Sequence, residues 1–275
     1  MLYSYNRSAN MFHRKVVLDT ASMLAAASQS PMTELHGAAL YDALYATGYH
    51  SLSNVSRAYE VIAYFANTSH TELRGVNSVL DVGCSHGFAV AKLWEIGYTA
   101  SGVDISTIAI DKARKLRGQP KGQCILPCFA QGPATAIPHA NASFDAIMST
   151  DVLEHVQPAD VRSTIHELSR VARKLLILKI ATRGDAVDNK QIQAFDTLKR
   201  LNQGKLQGTR LPANLHPTVH GPGWWSGQFH EVGGWQHVST FPYPHRRPWL
   251  CCTIVLRRDD APDLRLDPRS VKQRR

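Results

Sequence analysis

Apolar residues along this chain change their spacing near Asn77. Before it they recur at helical intervals. Leu35, Leu40, Leu44 and Tyr45 do so in residues 34–47, and Val55, Tyr59, Val61, Ile62 and Phe65 do so in residues 54–66. Two helices packed beside a core are predicted there, separated by Gly48-Tyr-His-Ser51. After Asn77, apolar runs of strand length alternate with amphipathic stretches. Residues 78–82, 99–104, 124–129, 144–149 and 174–180 read as strands. Helices are predicted over 88–96, with Gly97 at the C-cap, and over 107–116, with Ser106 as N-cap. A further helix is predicted from Pro158, which suits a first turn, to about Ala172. Strands and helices alternating at this spacing predict an α/β fold built on a parallel, doubly wound sheet.

Beyond Ile180 the pattern is weaker. Residues 192–201 read as a helix, and 204–223, rich in Gly, Pro and His, read as loop. Residues 236–241 and 250–256 read as two more strands, joined through the Pro-rich stretch 242–248. The organisation expected is a leader over 1–33, expected to be disordered, and a domain over 34–258. That domain consists of a helical N-terminal extension, 34–70, and a core, 71–258. Residues 259–275 form a basic tail.

The chain has 275 residues and is 44% hydrophobic, enough for one large α/β domain with additions. No apolar run approaches the roughly 18–20 residues of a bilayer-spanning helix, so no membrane span is expected. The formal charge is +9. Much of the excess lies in the last thirty residues, where Arg257, Arg258, Arg265, Arg269, Lys272, Arg274 and Arg275 outnumber the acids. Such a tail is usually solvated, and it can attract nucleic acid. The N-terminus lacks the apolar block of a secretory signal; Arg7, Arg14 and Lys15 among serines weakly resemble an organelle transit peptide. The five cysteines match neither a zinc ribbon nor a disulfide framework. Cys124 and Cys128 would share one face of a strand, and reduced core thiols are expected, in keeping with a cytoplasmic chain.

The chemistry is concentrated in Val79-Leu-Asp-Val-Gly-Cys-Ser-His-Gly87 and Gly102-Val-Asp-Ile-Ser106. One strand ends near Asp81, a glycine-bearing turn follows, and Asp104 ends the next strand about twenty residues on. A carboxylate there can accept two hydrogen bonds from a ribose diol. Dinucleotide folds place G-x-G-x-x-G after the first strand. Here Ser85 and Phe88 occupy the second and third glycine places, so that match is poor. An acidic residue just before the turn suits a cationic ligand instead.

Residues 79–87 resemble the first motif of class I S-adenosylmethionine-dependent methyltransferases, and Gly102-Val-Asp-Ile-Ser106 resembles their second. Phe144-Asp-Ala-Ile-Met-Ser-Thr-Asp-Val-Leu-Glu-His-Val156 resembles the segment around their fourth strand. The three motifs stand in the right order across roughly residues 75–182. The resemblance implies a Rossmann-like, seven-stranded sheet with its last strand antiparallel, and S-adenosyl-L-methionine as cofactor. Gly83, Cys84, Ser85 and Gly87 would wrap its methionine part, with Asp81 favouring the sulfonium and ammonium. Asp104 would hold the ribose and Ile105 would face the adenine. Asp151 and Val152 would line the pocket. Two positions depart from the family pattern: Ser85 replaces a glycine, and Pro133 stands near the place of an acidic residue, so the adenine contact would fall to Gln131 or to backbone.

Transfer to oxygen or nitrogen draws on a general base, a role suited to His. His155 and His220 are the catalytic candidates, with His216 nearby. Asp151, Glu154 and His155 also resemble an E-x-x-E-H cluster that binds a divalent metal in some relatives, where His216 or His220 would complete the set. The same segment is widespread in the family without metal, and no metal is expected. The leading reading is a methyltransferase for a small molecule or a glycan- or lipid-linked group. The alternatives are an RNA or protein methyltransferase recruited by the basic C-terminus, and a non-catalytic cofactor-binding module.

Overall fold

The protein is described from a computed structural model, which covers residues 33–46, 52–67, 69–120, 122–182, 209–210, 212, 215–242 and 251–258. A seven-stranded sheet forms its centre. The strands are β1 (Ser78–Val82), β2 (Thr99–Asp104), β3 (Phe129–Gln131), β4 (Phe144–Thr150), β5 (Ala172–Ala181), β6 (Trp235–Pro242) and β7 (Cys251–Arg258). Their order across the sheet is β3-β2-β1-β4-β5-β7-β6. All pairings among the first five are parallel. β7 runs antiparallel to both its neighbours, β5 and β6, which is the expected reversed last strand.

Parallel strands covered on both faces read as continuous apolar runs, because each face needs burial. All five residues of β1 are buried. Val79, Met148, Leu175 and Ile177 join one core layer, whereas Leu80, Ile147, Leu176 and Leu178 join the other. The first layer packs under α2 (Leu52–Ala66), α3 (Phe88–Glu95) and α4 (Thr107–Arg117), and the second under α5 (Val161–Val171) and α6 (Pro222–Gly233). A shorter N-terminal helix, α1 (Gly37–Ala46), packs against α4. Lys179, buried in β5, pairs at 3.3 Å with Glu60 of α2 and ties that helix to the sheet.

Several expectations are corrected. The predicted strand over 124–129 is only Phe129–Gln131, and residues 123–128 form bends. In extended backbone, Cys124 and Cys128 would stand about 13 Å apart, at ~3.3 Å per residue. The bends bring their Cα atoms to 5.2 Å, and the two form a disulfide in place of reduced thiols. α6 begins at Pro222, inside the stretch read as loop. Gly223 and Gly227 lower its intrinsic helix propensity, and burial of Trp225 and Phe229 outweighs that cost. Thr33–Glu34 pairs with Thr209–Arg210 as a short parallel ladder. The predicted helix at 192–201, the rest of the leader and the basic tail lie outside the described residues. No helix among the described residues is long and apolar enough to cross a membrane.

Phe229 is fully buried among Trp225, Trp235 and the β5/β7 residues. Phe229→Ala is expected to lower stability by about 3–5 kcal/mol, read as a shift of the urea midpoint.

Candidate active site

β1 and β2 carry Asp81 and Asp104 to the carboxyl edge of the sheet, beside the reversal of strand order between β1 and β4. The loop 83–87 runs between them. The N–H groups of Gly83 and Cys84 both donate to Val103 O, at 2.7 and 3.0 Å, so the loop folds back over the tip of β2. Gly83, Ser85 and Gly87 all adopt left-handed backbone, with φ of +83°, +51° and +68°. A Cβ on Gly83 would lie 2.2 Å from Val152 Cγ2, and one on Gly87 would lie 2.5 Å from Phe129 Cε1. Both positions therefore exclude a side chain by conformation and by contact.

This turn aims the Ser85 N–H at the second strand. It donates to Asp104 Oδ2 at 2.8 Å, and the Ser106 N–H donates to Oδ1 at 2.9 Å. A carboxylate has about four acceptor sites, so each oxygen retains capacity for a hydroxyl donor. Burial pushes the Asp81 carboxyl up to about 7, and the charge of Asp104 adds to that rise. Burial likewise pushes Asp104 up to about 6, against the pull of its two N–H donors. Neither carboxylate has an ion pair among the described residues. The pair suits a ligand that brings positive charge and hydroxyl groups.

α1 lies along the same edge. Asp42 Oδ1 accepts from Ser106 Oγ at 2.5 Å and from Ile108 N at 3.2 Å, pinning α1 to the first turn of α4. Tyr45 contacts the His86 ring with centroids 5.3 Å apart, and Tyr41 meets His155 edge-on at 6.0 Å. Sequence reasoning identified the helix and Tyr45 among its apolar positions, but not Asp42 or Tyr41, nor the contact of any of the three with this edge. Helical periodicity marks a buried face but carries no information about which surface covers it.

The other candidates divide by side chain and backbone. The Cys84 thiol is buried in the core with its Sγ against Gly102, so only its backbone faces the turn. Ile105 is half-buried beyond Asp104. Gln131 is exposed, and its Nε2 donates to Ile105 O at 2.9 Å, bracing the loop after β2. Asp151 directly follows β4 in left-handed backbone, with φ of +54°. Val152 packs directly on Gly83.

A second cluster follows β4 immediately. Glu154, 1% exposed, accepts from Ala181 N through Oε1 at 3.3 Å. Its Oε2 has no hydrogen-bond partner among the described residues. Burial raises the pKa of this carboxyl, and the charge of Asp151 adds to the rise. His155 Nδ1 lies 2.8 Å from Leu215 O, and the rings of His155 and His216 meet at right angles with centroids 4.4 Å apart. Of the two catalytic candidates, His155 adjoins His216, and His220 lies apart from it. Thr218 explains the difference, since its N–H donates to Glu154 O and its Oγ1 to Val156 O, at 3.2 and 2.6 Å. These bonds draw His216 inward. His220 remains exposed, stacked on Trp224 at 3.7 Å, while Trp225 is buried.

Residues 80–177 match a family model described as a methyltransferase domain. A comparison with curated protein sequences found no match. Among solved structures, magnesium protoporphyrin IX methyltransferase from Synechocystis PCC 6803, with bound S-adenosylhomocysteine, superposes with a TM-score of 0.54. It is 19% identical, over 75% of this chain and 84% of that one. The 1,6-didemethyltoxoflavin-N1-methyltransferase of Burkholderia thailandensis reaches 0.57 at 15% identity, over 80% and 86% of the two chains. A putative sarcosine dimethylglycine methyltransferase from Galdieria sulphuraria reaches 0.52 at 15% identity, over 77% and 86%. At these identities the likeness establishes the shared fold.

Two outcomes test this geometry. Between the ordinary carboxyl value of 3.8 and about 7, the folded chain holds protons on Asp81 and Asp104 that the unfolded chain has released. Their joint contribution therefore makes stability fall as pH rises through that window. Urea midpoints at pH 5 and pH 7.5 should differ less in Asp81→Asn than in the parent. Ser85→Gly should raise stability by about 0.5–1 kcal/mol, because relief of left-handed strain exceeds the added freedom of glycine in the unfolded chain.

Proposed function

We propose that this chain, a class I S-adenosylmethionine-dependent methyltransferase by its domain and its fold, methylates an oxygen or nitrogen of a small molecule or a glycan- or lipid-linked group. The observation that carries the site assignment is the contact between the glycine turn and Asp104, made through the Ser85 N–H. Gly83, Ser85, Gly87 and the Cys84 backbone wrap the methionine portion. Asp81 favours its positive charge. Asp104 accepts the ribose hydroxyls on the lone pairs that Ser85 and Ser106 leave unused. Ile105 and Gln131 border the adenine, and Asp151 and Val152 line the pocket from β4.

The buried carboxylates support a cationic cofactor on physical grounds. Each is costly to ionise alone in a dry site, and a sulfonium with an ammonium offsets that cost. Bound S-adenosylmethionine would supply its methyl group to the acceptor's lone pair, with sulfur taking the electron pair of the broken carbon–sulfur bond, and the acceptor's proton would pass to an imidazole. His155 and His220 are the candidates for that imidazole. A carbonyl oxygen only accepts, so Leu215 O holds the His155 proton on Nδ1 and leaves Nε2 as its basic nitrogen. Alignment of acceptor and methyl carbon supplies much of the acceleration, up to about 7–11 kcal/mol in favourable cases.

Small-molecule acceptors are supported by the protoporphyrin and toxoflavin-precursor methyltransferases that share the fold. No observation on the described residues favours a nucleic-acid partner or a non-catalytic module.

Asp104→Ala should weaken S-adenosylmethionine binding in isothermal titration by about 1.5–3 kcal/mol, roughly ten- to a hundredfold. Unchanged affinity would refute the ribose assignment. Affinity of the parent should rise with pH through about 6 to 7, as the two carboxylates ionise, and should rise less in Asp81→Asn. Labelled methyl transfer into the metabolite fraction of a cell extract tests the acceptor class, and label found only in protein or nucleic acid would overturn it.

A further inference from the structure

We propose that Asp42 of α1 is a positioning residue for the cofactor site: it holds Ser106, and through Ser106 the Asp104 carboxylate, so that docking of α1 and binding of the cofactor are coupled. The effect on cofactor binding rests on the methyltransferase reading; the hold on Asp104 does not.

Three observations carry the inference. The first is the division of hydrogen bonds at the start of α4. The first N–H groups of a helix have no partner within it. Ser106 Oγ accepts from Ala109 N at 3.1 Å, which makes the cap. Ile108 N is satisfied from outside the helix, by Asp42 Oδ1 at 3.2 Å. A hydroxyl has one proton to donate, and Ser106 Oγ gives it to the same Asp42 oxygen at 2.5 Å. Capping uses Ser106 only as an acceptor, so the bond to α1 is a feature the cap does not need.

The second is that Ser106 serves two carboxylates. It is fully buried, its hydroxyl donates to Asp42, and its N–H donates to Asp104 Oδ1 at 2.9 Å. Asp104 Oδ2 accepts in turn from Ser85 N at 2.8 Å. Asp42, Ser106, Asp104 and Ser85 are thus bonded in series from α1 to the glycine turn.

The third is charge. Burial pushes Asp104 up, its two N–H donors pull it down, and the charge of Asp42 adds to the rise. The elements around Asp104 also bring Asp81 from β1, Cys84 and His86 from the glycine turn, and Tyr45 from α1. Burial keeps the Cys84 thiol neutral. Two acids at one helix N-terminus are each favoured by its dipole but repel one another. A cationic ligand beside Asp104 offsets that repulsion, so occupancy of the site favours docked α1 and docking favours occupancy.

The test uses the full chain. Carboxyl carbon NMR shifts followed against pH without ligand give the Asp104 midpoint in the parent, Asp42→Asn and Asp111→Asn. Asparagine keeps an acceptor oxygen and loses the charge, so Asp42→Asn should lower the midpoint. Asp111→Asn, on the exposed face of α4, should leave it unchanged. Isothermal titration with S-adenosylmethionine at pH 8 should show Asp42→Ala about five- to tenfold weaker than the parent, the low end of coupling between linked sites. Asp42→Asn should restore most of that loss. Its affinity should also begin to rise at lower pH than the parent's, a change that a merely structural role would not produce. Amide exchange at Ile108, which reports docking of α1, should slow in the parent when cofactor binds. Urea midpoints check that the variants fold. An Asp104 midpoint unchanged in Asp42→Asn, parental affinity in folded Asp42→Ala, or Ile108 exchange indifferent to cofactor would each overturn the proposal. A parent that binds no S-adenosylmethionine yet shows the midpoint shift would overturn the cofactor assignment and leave the hold on Asp104 standing.

Discussion

The hydrogen bond from the Ser85 N–H to the Asp104 carboxylate joins the glycine turn to the tip of β2, and the neighbouring strands shape the turn that makes it. For that N–H to face β2, the chain must turn back over the strand tip within five residues. Such a turn requires left-handed backbone at three of them and leaves no space for a side chain at Gly83 or Gly87. Val152 and Phe129 close off that space from β4 and β3. The loop is thus held by three neighbouring strands at once, and a shift in any of them would reach the carboxylate.

A site with two buried acids is unstable by itself, since both lie where water cannot solvate their charge. That burial raises both carboxyl groups toward neutrality. α1 contributes to that seclusion. Asp42 anchors it on the first turn of α4, and its tyrosines reach both the glycine turn and His155. α1 therefore packs along the edge of the sheet that carries both carboxylates.

The cluster after β4 adjoins the same loop. Glu154 lies one short turn after β4, in the segment that also positions Val152 against the glycine loop.

The parallel strands, the capped helix at Ser106 and the glycine turn were legible in the sequence because each has a local cause. Strand faces must be apolar, a helix start needs a side-chain acceptor, and left-handed backbone favours glycine. Asp104 was legible for the same reason, as a polar residue ending an apolar run. The segment at 123–128 was misread because its residues suit a strand, while bends and the Cys124–Cys128 link set its actual path. α6 was missed because buried Trp225 and Phe229 stabilise a helix whose glycines argue against one. The choice of His216 over His220 as partner of His155, and the placement of Asp42 and Tyr41 over the site, were decided only by the tertiary structure. They depend on contacts between segments 61 to 114 residues apart, and the spacing of residues within one segment carries no record of what packs against it.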